Sequence, residues 1–322
     1  MGISSKRDQS IDYAPCRYNG SRLWFRGPYN DLRSPYVACL GGSGIYGRYV
    51  TQPWSALLEA QIGCRVVNLG VENAGIDAYL NDAGALSTAA NAKIAIIQLA
   101  CVHNTSNRYY LTHPRRNDRF LKASASLQTL YPEMDFTEVH FTRHMLTRLN
   151  AICPTRFETV ANEACAAWLA RMGGLISQMN GVVYLLWFAP MPLPDDPEIN
   201  LGCEPFLARA MVNSLTPKAK ALIEVVPNTW RGIDEFRHVP PLEMGRAEQL
   251  PGPLAHAQVA DAVACAIGPA LQKKRRANSS APSNNQGSAF SQAFQSVPAQ
   301  HRTSRRPARN RQPGRSVLLR LC

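Results

Sequence analysis

None of the nine cysteines forms a Cys-x-x-Cys pair or a cysteine–histidine spacing suited to zinc. They are scattered at positions 16, 39, 64, 101, 153, 165, 203, 265 and 322, several within apolar runs. That pattern excludes a disulfide framework and predicts free, buried thiols in a reducing cytoplasm. The first sixteen residues, MGISSKRDQSIDYAPC, hold no apolar stretch of the kind a secretory signal needs. No run approaches the roughly 20 uninterrupted apolar residues of a membrane span, so no transmembrane segment is expected. Met1-Gly2 followed by Ser4, Ser5 and Lys6 fits an acylated start only loosely. Acid is absent from Lys273 onward, where eleven of the 35 basic residues lie. Residues 1–272 therefore carry 24 basic and 23 acidic side chains, and the net charge of +12 belongs to the tail.

The tail is also poor in large apolar groups. Residues 277–316 are rich in Ser, Pro, Gln, Asn and Arg, a composition that cannot offset chain entropy by burial and predicts disorder. Arginines behind the KKRR run are suited to weak, nonspecific contact with polyanions, and equally to a solvated extension without a dedicated partner. The final SVLLRLC suggests no structural role.

What the chain does have is alternation. Strands are expected at 36–41, 65–70, 93–100, 181–189 and 221–227, four of them nearly continuous apolar runs, as in strands covered on both faces. Helical patterns fall at about 52–63, 76–91, 157–179, 204–219 and 253–271. This order predicts a three-layer αβα, flavodoxin-like parallel sheet. Residues 103–155 interrupt it with HNTSNRYYLTHPRRNDRF and MDFTEVHFTRHM, dense in His, Arg and aromatics. Following the third strand, they are placed to cap a site at the carboxyl edge of the sheet.

The stretch VACLGGSGIYGRYV (37–50) reads as strand, glycine turn, serine and helix. A phosphate loop is one reading: residues 42–47 match G-x-x-x-x-G. The Lys and Ser/Thr that should follow are Arg48 and Tyr49, and no strand ends in a suitable aspartate. The other reading is a nucleophile turn, with Ser43 projecting at the sheet edge beside backbone N–H groups able to hold an oxyanion.

On Gly41-Gly42-Ser43 the chain resembles the SGNH/GDSL hydrolases, whose nucleophile lies in G-D-S after the first strand; the middle aspartate is replaced by Gly42. The resemblance implies an oxyanion-hole glycine in NLGVENAGID, Gly75 (or Gly70). It implies an asparagine donor in IIQLACVHNTSN, Asn104 (or Asn107), without the glycine and aspartate of the family's motif. In PGPLAHAQVADAV it implies His256 as base, with Pro253 where the family has its aspartate. His238, spaced from Glu235 like an acid–histidine pair, is the second candidate, and Asp234 or Glu235 could supply an acid. The strings DYAPCRYNGSRLWFRGP, HPRRNDRF with DFTEVHFTRHM, and GPLAH resemble more closely a bacterial domain family of unknown function, which implies a unit over 11–271 and a tail over 272–322.

The resemblance implies a serine esterase or acyltransferase in which Ser43 attacks, His256 relays the proton, and the Ser43 N–H, Gly75 N–H and Asn104 amide hold the oxyanion. A non-catalytic binding protein on the same fold, and a phosphate- or nucleotide-binding transferase using residues 42–48, are the alternatives. Arg115, Arg116 and Arg119 with His113, Arg143 and His144 could hold an anionic group of a small-molecule ester or ligand, or form a solvated face paired with Asp118, Asp135 and Glu138. Trp187 and Phe188 read as core. His140 and His144 stand four apart without H-E-x-x-H around them, so neither metal nor cofactor is expected.

Overall fold

The computed structural model describes residues 11–99, 101–195, 206–231 and 239–279, the last eight by backbone alone. Two compact units divide the chain, residues 1–276 and 277–322. Five parallel strands form its centre: β1 (Tyr36–Gly41), β2 (Arg65–Gly70), β3 (Ile94–Gln98), β6 (Val182–Phe188) and β7 (Ala221–Val225). Their order across the sheet is β2-β1-β3-β6-β7, the flavodoxin-like arrangement expected from the alternation. β4 (Tyr110–Thr112) and β5 (Phe120–Ala123) pair antiparallel in a separate hairpin.

The continuous apolar runs follow from the two-residue period of a strand. Val37 and Cys39 of β1 face one side, while Tyr36, Ala38 and Leu40 face the other. Likewise Tyr184, Leu186 and Phe188 of β6 lie in one core, and Val183, Leu185 and Trp187 in the opposite one. Each large side chain so enclosed contributes about 1.5–3 kcal/mol relative to exposure.

On one face pack α2 (Trp54–Ile62) and α10 (Pro253–Ser279), through Trp54, Leu58, Val259 and Val263. On the other lie α3 (Ile76–Leu80), α4 (Ala83–Ala90), α7 (Pro154–Ser177) and α8 (Arg209–Leu215). The short α1 (Ser43–Tyr46) follows β1, and α9 (Met244–Ala247) precedes α10. By length and composition residues 253–271 would suffice to cross a membrane, but Ala255, Val259, Ala260, Val263 and Ile267 are fully buried against the sheet.

The long pattern expected over 76–91 is two helices. Asp82 breaks it by capping α4, accepting the Ala85 N–H (2.8 Å) and the Arg22 N–H (2.7 Å). Residues 103–155 fold as the β4–β5 hairpin, α5 (Ala125–Leu130) and α6 (Thr142–Ile152). No disulfide joins the seven described cysteines, and of the thiols expected to be buried only Cys39 is; Cys265 is exposed and the rest are half-buried. Most of the tail lies outside the described residues.

Candidate functional site

The carboxyl ends of β1, β2 and β3 meet a cleft of about 1160 Å³, and Ser43 stands in its wall at the first position of α1. The turn carrying it is fixed from below. The Tyr79 hydroxyl accepts the Gly41 N–H (2.9 Å) and reaches the Leu69 carbonyl (2.7 Å). Asn68 donates to the Ile45 carbonyl (2.8 Å) and accepts the Gly70 N–H (2.8 Å), tying α1 to β2. Ile45 and Tyr46 N–H groups both bond the Gly42 carbonyl at 3.1 Å. Gly47, at φ 70°, ends α1 in a left-handed conformation that costs glycine little. Ser43 Oγ accepts the Asn73 N–H at 3.3 Å, so the loop after β2 presents a donor beside the hydroxyl.

Asn104 lines the same cleft from the turn after β3 and is 3 % exposed. Its Oδ1 accepts the Thr142 hydroxyl proton (2.7 Å). Thr142 is fixed in turn by its own N–H on the Asp118 carbonyl (3.0 Å). The structure thus brings Ser43 and Asn104 together on one cavity.

Gly75 and His256 are otherwise engaged. The Gly75 N–H donates to Asn117 Oδ1 at 2.7 Å, closing the N-terminus of α3 with a side chain from the inserted segment. His256 is fully buried in the first turn of α10 and is not among the described cleft-lining residues. Its Nδ1 accepts the Trp54 N–H at 3.0 Å, so the proton of the neutral ring sits on Nε2. Nε2 has no hydrogen-bond partner, and the ring stands edge-on to Phe188 at 5.9 Å. Burial, assisted by Arg26, pushes the imidazole down to about 3. In this arrangement Nε2 is a donor without a lone pair for the Ser43 proton.

His238, Asp234 and Glu235 lie outside the described residues. Asn107 closes a local turn, accepting the Tyr109 N–H (2.9 Å) and donating to the Thr105 carbonyl (3.0 Å). Gly70 packs against α1. Of the basic group, His144 and Arg143 line the cleft. Arg119 stacks at 4.2 Å on Phe141, itself part of the wall. Arg115 and Arg116 are exposed, with their N–H groups on His113 Nδ1 (3.3 and 3.1 Å). Arg48, the cation of the phosphate-loop reading, is bonded to Glu72 (2.5 Å) and Glu243 (2.8 Å). No cluster of metal-ligating side chains occurs among the described residues.

Among the polar residues of the cleft, Gln98 and His103 escape the sequence reading, which took Asp118 only as an ion-pair partner of the nearby basic side chains. His103 is 4 % exposed and its Nδ1 has no partner; burial, then Arg143, pushes it down to about 3. Burial raises the Asp118 carboxyl above the usual range, and its Oδ1 also lacks a partner. His103 precedes Asn104, so its signal in the sequence is adjacency to a residue already of interest. Phe188 is both core and cleft wall, and Trp187 is core.

A family model described as "Domain of unknown function (DUF6473)" matches residues 1–271. The chain belongs to this family. That DUF6473 match spans the whole of the sheet and the cleft. No curated protein sequence matches. Among solved structures, a carbohydrate esterase family 2 enzyme with a carbohydrate binding domain, from Corynascus thermopiles (Myceliophthora fergusii), is similar at 11 % identity. It covers 76 % of this chain and 69 % of its own, at a TM-score of 0.41. Axe2, an acetylxylan esterase from Geobacillus stearothermophilus, is similar at 11 % identity, covering 73 % and 94 %, at 0.36. LAE5, an alpha/beta hydrolase enzyme from the metagenome of Lake Arreo, Spain, has 16 % identity, covering 73 % and 95 %, at 0.33.

Proposed function

We propose that this DUF6473 domain binds a small molecule in the cleft at Ser43 and Asn104, as a non-catalytic relative of the SGNH hydrolases. One observation carries the reading: His256 Nδ1 accepts the Trp54 N–H, and Nε2 is enclosed without an acceptor. A serine hydroxyl at neutral pH is a weak nucleophile without a base in reach. The Gly75 N–H, engaged by Asn117, supports the same reading. The cleft still presents the Ser43 hydroxyl and the Asn104 amide beside Gln98, His103 and His144, which is enough to orient a polar ligand.

Hydrolysis or transfer of an acyl ester at Ser43 is the second reading, favoured by Ser43 and Asn104 lining one cleft. Fluorophosphonate labelling of the intact protein beside Ser43→Ala separates the two. Binding without catalysis predicts no Ser43-dependent label, with NMR shifts at Ser43 and Asn104 when p-nitrophenyl acetate is added and no p-nitrophenol released. Label that disappears in Ser43→Ala, with ester turnover lost alongside it, would sink the non-catalytic reading.

A further inference from the structure

Gln249, Leu250 and Pro251 form part of the cleft wall with Trp230. They end a segment, residues 239–251, built from a 3₁₀ turn (Pro241–Glu243) and the four-residue α9. Its apolar contacts stand apart from both cores of the sheet. They form a small cluster in which Tyr49 and Ala247 are buried and Val239 and Leu250 are half-buried. Leu242, in the same segment, is fully exposed. Segments that move at binding sites come from the least stable parts of a fold, those with few buried apolar contacts.

Charge supplies the remaining attachment. Arg48, just beyond α1, bonds Glu243 (2.8 Å) and Glu72 (2.5 Å). Arg246 of α9 bonds the second Glu72 oxygen (2.8 Å), and the Tyr49 hydroxyl donates to Glu243. These two arginines and two glutamates are between 22 and 44 % exposed, within reach of water and salt. Such pairs hold little singly and more as a network. Their anchors belong to the seat of Ser43. Arg48 and Tyr49 follow α1, and Glu72 precedes Asn73, whose N–H reaches Ser43 Oγ. At the other end of the segment the Trp230 indole N–H donates to the Gln249 carbonyl (3.3 Å), and the Trp230 carbonyl accepts the Gly252 N–H (2.9 Å).

We propose that residues 239–251 are a strap fastened along the cleft by the charges of Arg48, Glu72, Glu243 and Arg246, and that release of this network opens the cleft at that wall. This rests on the binding reading above and names what regulates access to the site. A released strap stays joined to α10, whose Ala255 and Val259 are fixed in the core of the sheet.

The test is amide hydrogen exchange of the full chain, read at Glu248, Gln249 and Leu250, whose N–H groups bond carbonyls within the strap. Exchange there is expected to rise about fivefold in Arg246→Gln and in Glu243→Gln, with the α10 amides unchanged. Sodium chloride at about 0.5 M is expected to speed exchange in the wild type and to add little in Glu243→Gln. The Trp230 indole N–H resonance is expected to move in the same samples, because its acceptor lies on the strap. Glu133→Gln, which breaks an ion pair with Arg156 outside the cleft lining, is expected to leave strap exchange as it is. Unchanged exchange in both strap variants, indifference to salt, or an equal rise in Glu133→Gln would overturn the inference. p-Nitrophenyl acetate separates its failure from that of the binding reading. If the probe shifts the Ser43 and Asn104 amides while strap exchange ignores both variants, the strap fails and the binding reading stands. If strap exchange responds as expected and the probe shifts no cleft amide, the binding reading fails and the strap stands. Ser43-dependent turnover of the probe beside a responsive strap likewise removes only the non-catalytic reading.

Discussion

His103 and His256 are two imidazoles kept neutral by burial, and their titration couples stability to pH. Each is pushed from 6.5 down to about 3. Between those values the unfolded chain holds a proton at each ring that the folded chain does not, so stability falls as pH falls. The contribution is complete above pH 6.5 and is lost progressively down to about pH 3. The slope is on the order of 1.4 kcal/mol per pH unit for each ring. Urea midpoints are expected to drop between pH 6.5 and 5, before most carboxylates titrate, and to drop about half as steeply in His103→Leu. A wild-type midpoint flat across that interval would mean that neither ring is held neutral. At this scale the sequence shows where Ser43, Asn104 and His256 stand, because each follows a strand end or opens a helix. It does not show which way His256 faces. That depends on the Trp54 N–H, 202 positions away, and the Asn117–Gly75 contact likewise joins segments 42 positions apart.

Among the elements, the seat of Ser43 depends on how closely α1 passes over β2. At Gly70 an added Cβ would overlap the backbone of Ile45 and Tyr46, which has no side-chain freedom with which to yield. Gly70→Ala is therefore expected to cost about 1–3 kcal/mol and to displace the Ser43 turn. Gly63, which ends α2 at φ 59°, has open space around it. Gly63→Ala should cost only backbone strain, about 1–2 kcal/mol, and leave the turn in place. Thermal midpoints with the Ser43 amide shift distinguish the two, and an unmoved Ser43 amide in Gly70→Ala would show that α1 is not set by this contact. Four of the sheet strands are readable because both of their faces are covered, whereas β7 leaves Ala221 and Glu224 exposed and buries Ile223 and Val225. The β4–β5 hairpin is not: its strands have three and four residues, and Leu111, Leu121 and Lys122 point to solvent. Nor is the break at Asp82, where half of the capping role serves the remote Arg22.

For the molecule as a whole, the family match to residue 271 and the compact unit to residue 276 nearly coincide, while much of the charge lies beyond both. The N-terminal segment belongs to the first unit through Arg26. Arg26 is 4 % exposed, and its guanidinium bonds the Gly47, Val50 (2.7 Å) and Thr51 (2.9 Å) carbonyls beyond α1. Removing residues 277–322 takes seven arginines and lowers the net charge from +12 to +5. Polyanion binding depends on the number of cations that displace counterions, so each arginine removed weakens it and flattens its salt dependence. The shortened chain is expected to elute from heparin at lower salt than the full chain. Its melting temperature is expected to stay the same. Unchanged elution from heparin would assign the polyanion contact to residues 1–276, which keep Lys273, Lys274, Arg275, Arg276 and a net charge of +5, and a lower melting temperature would mean that residues 277–322 contribute to the fold.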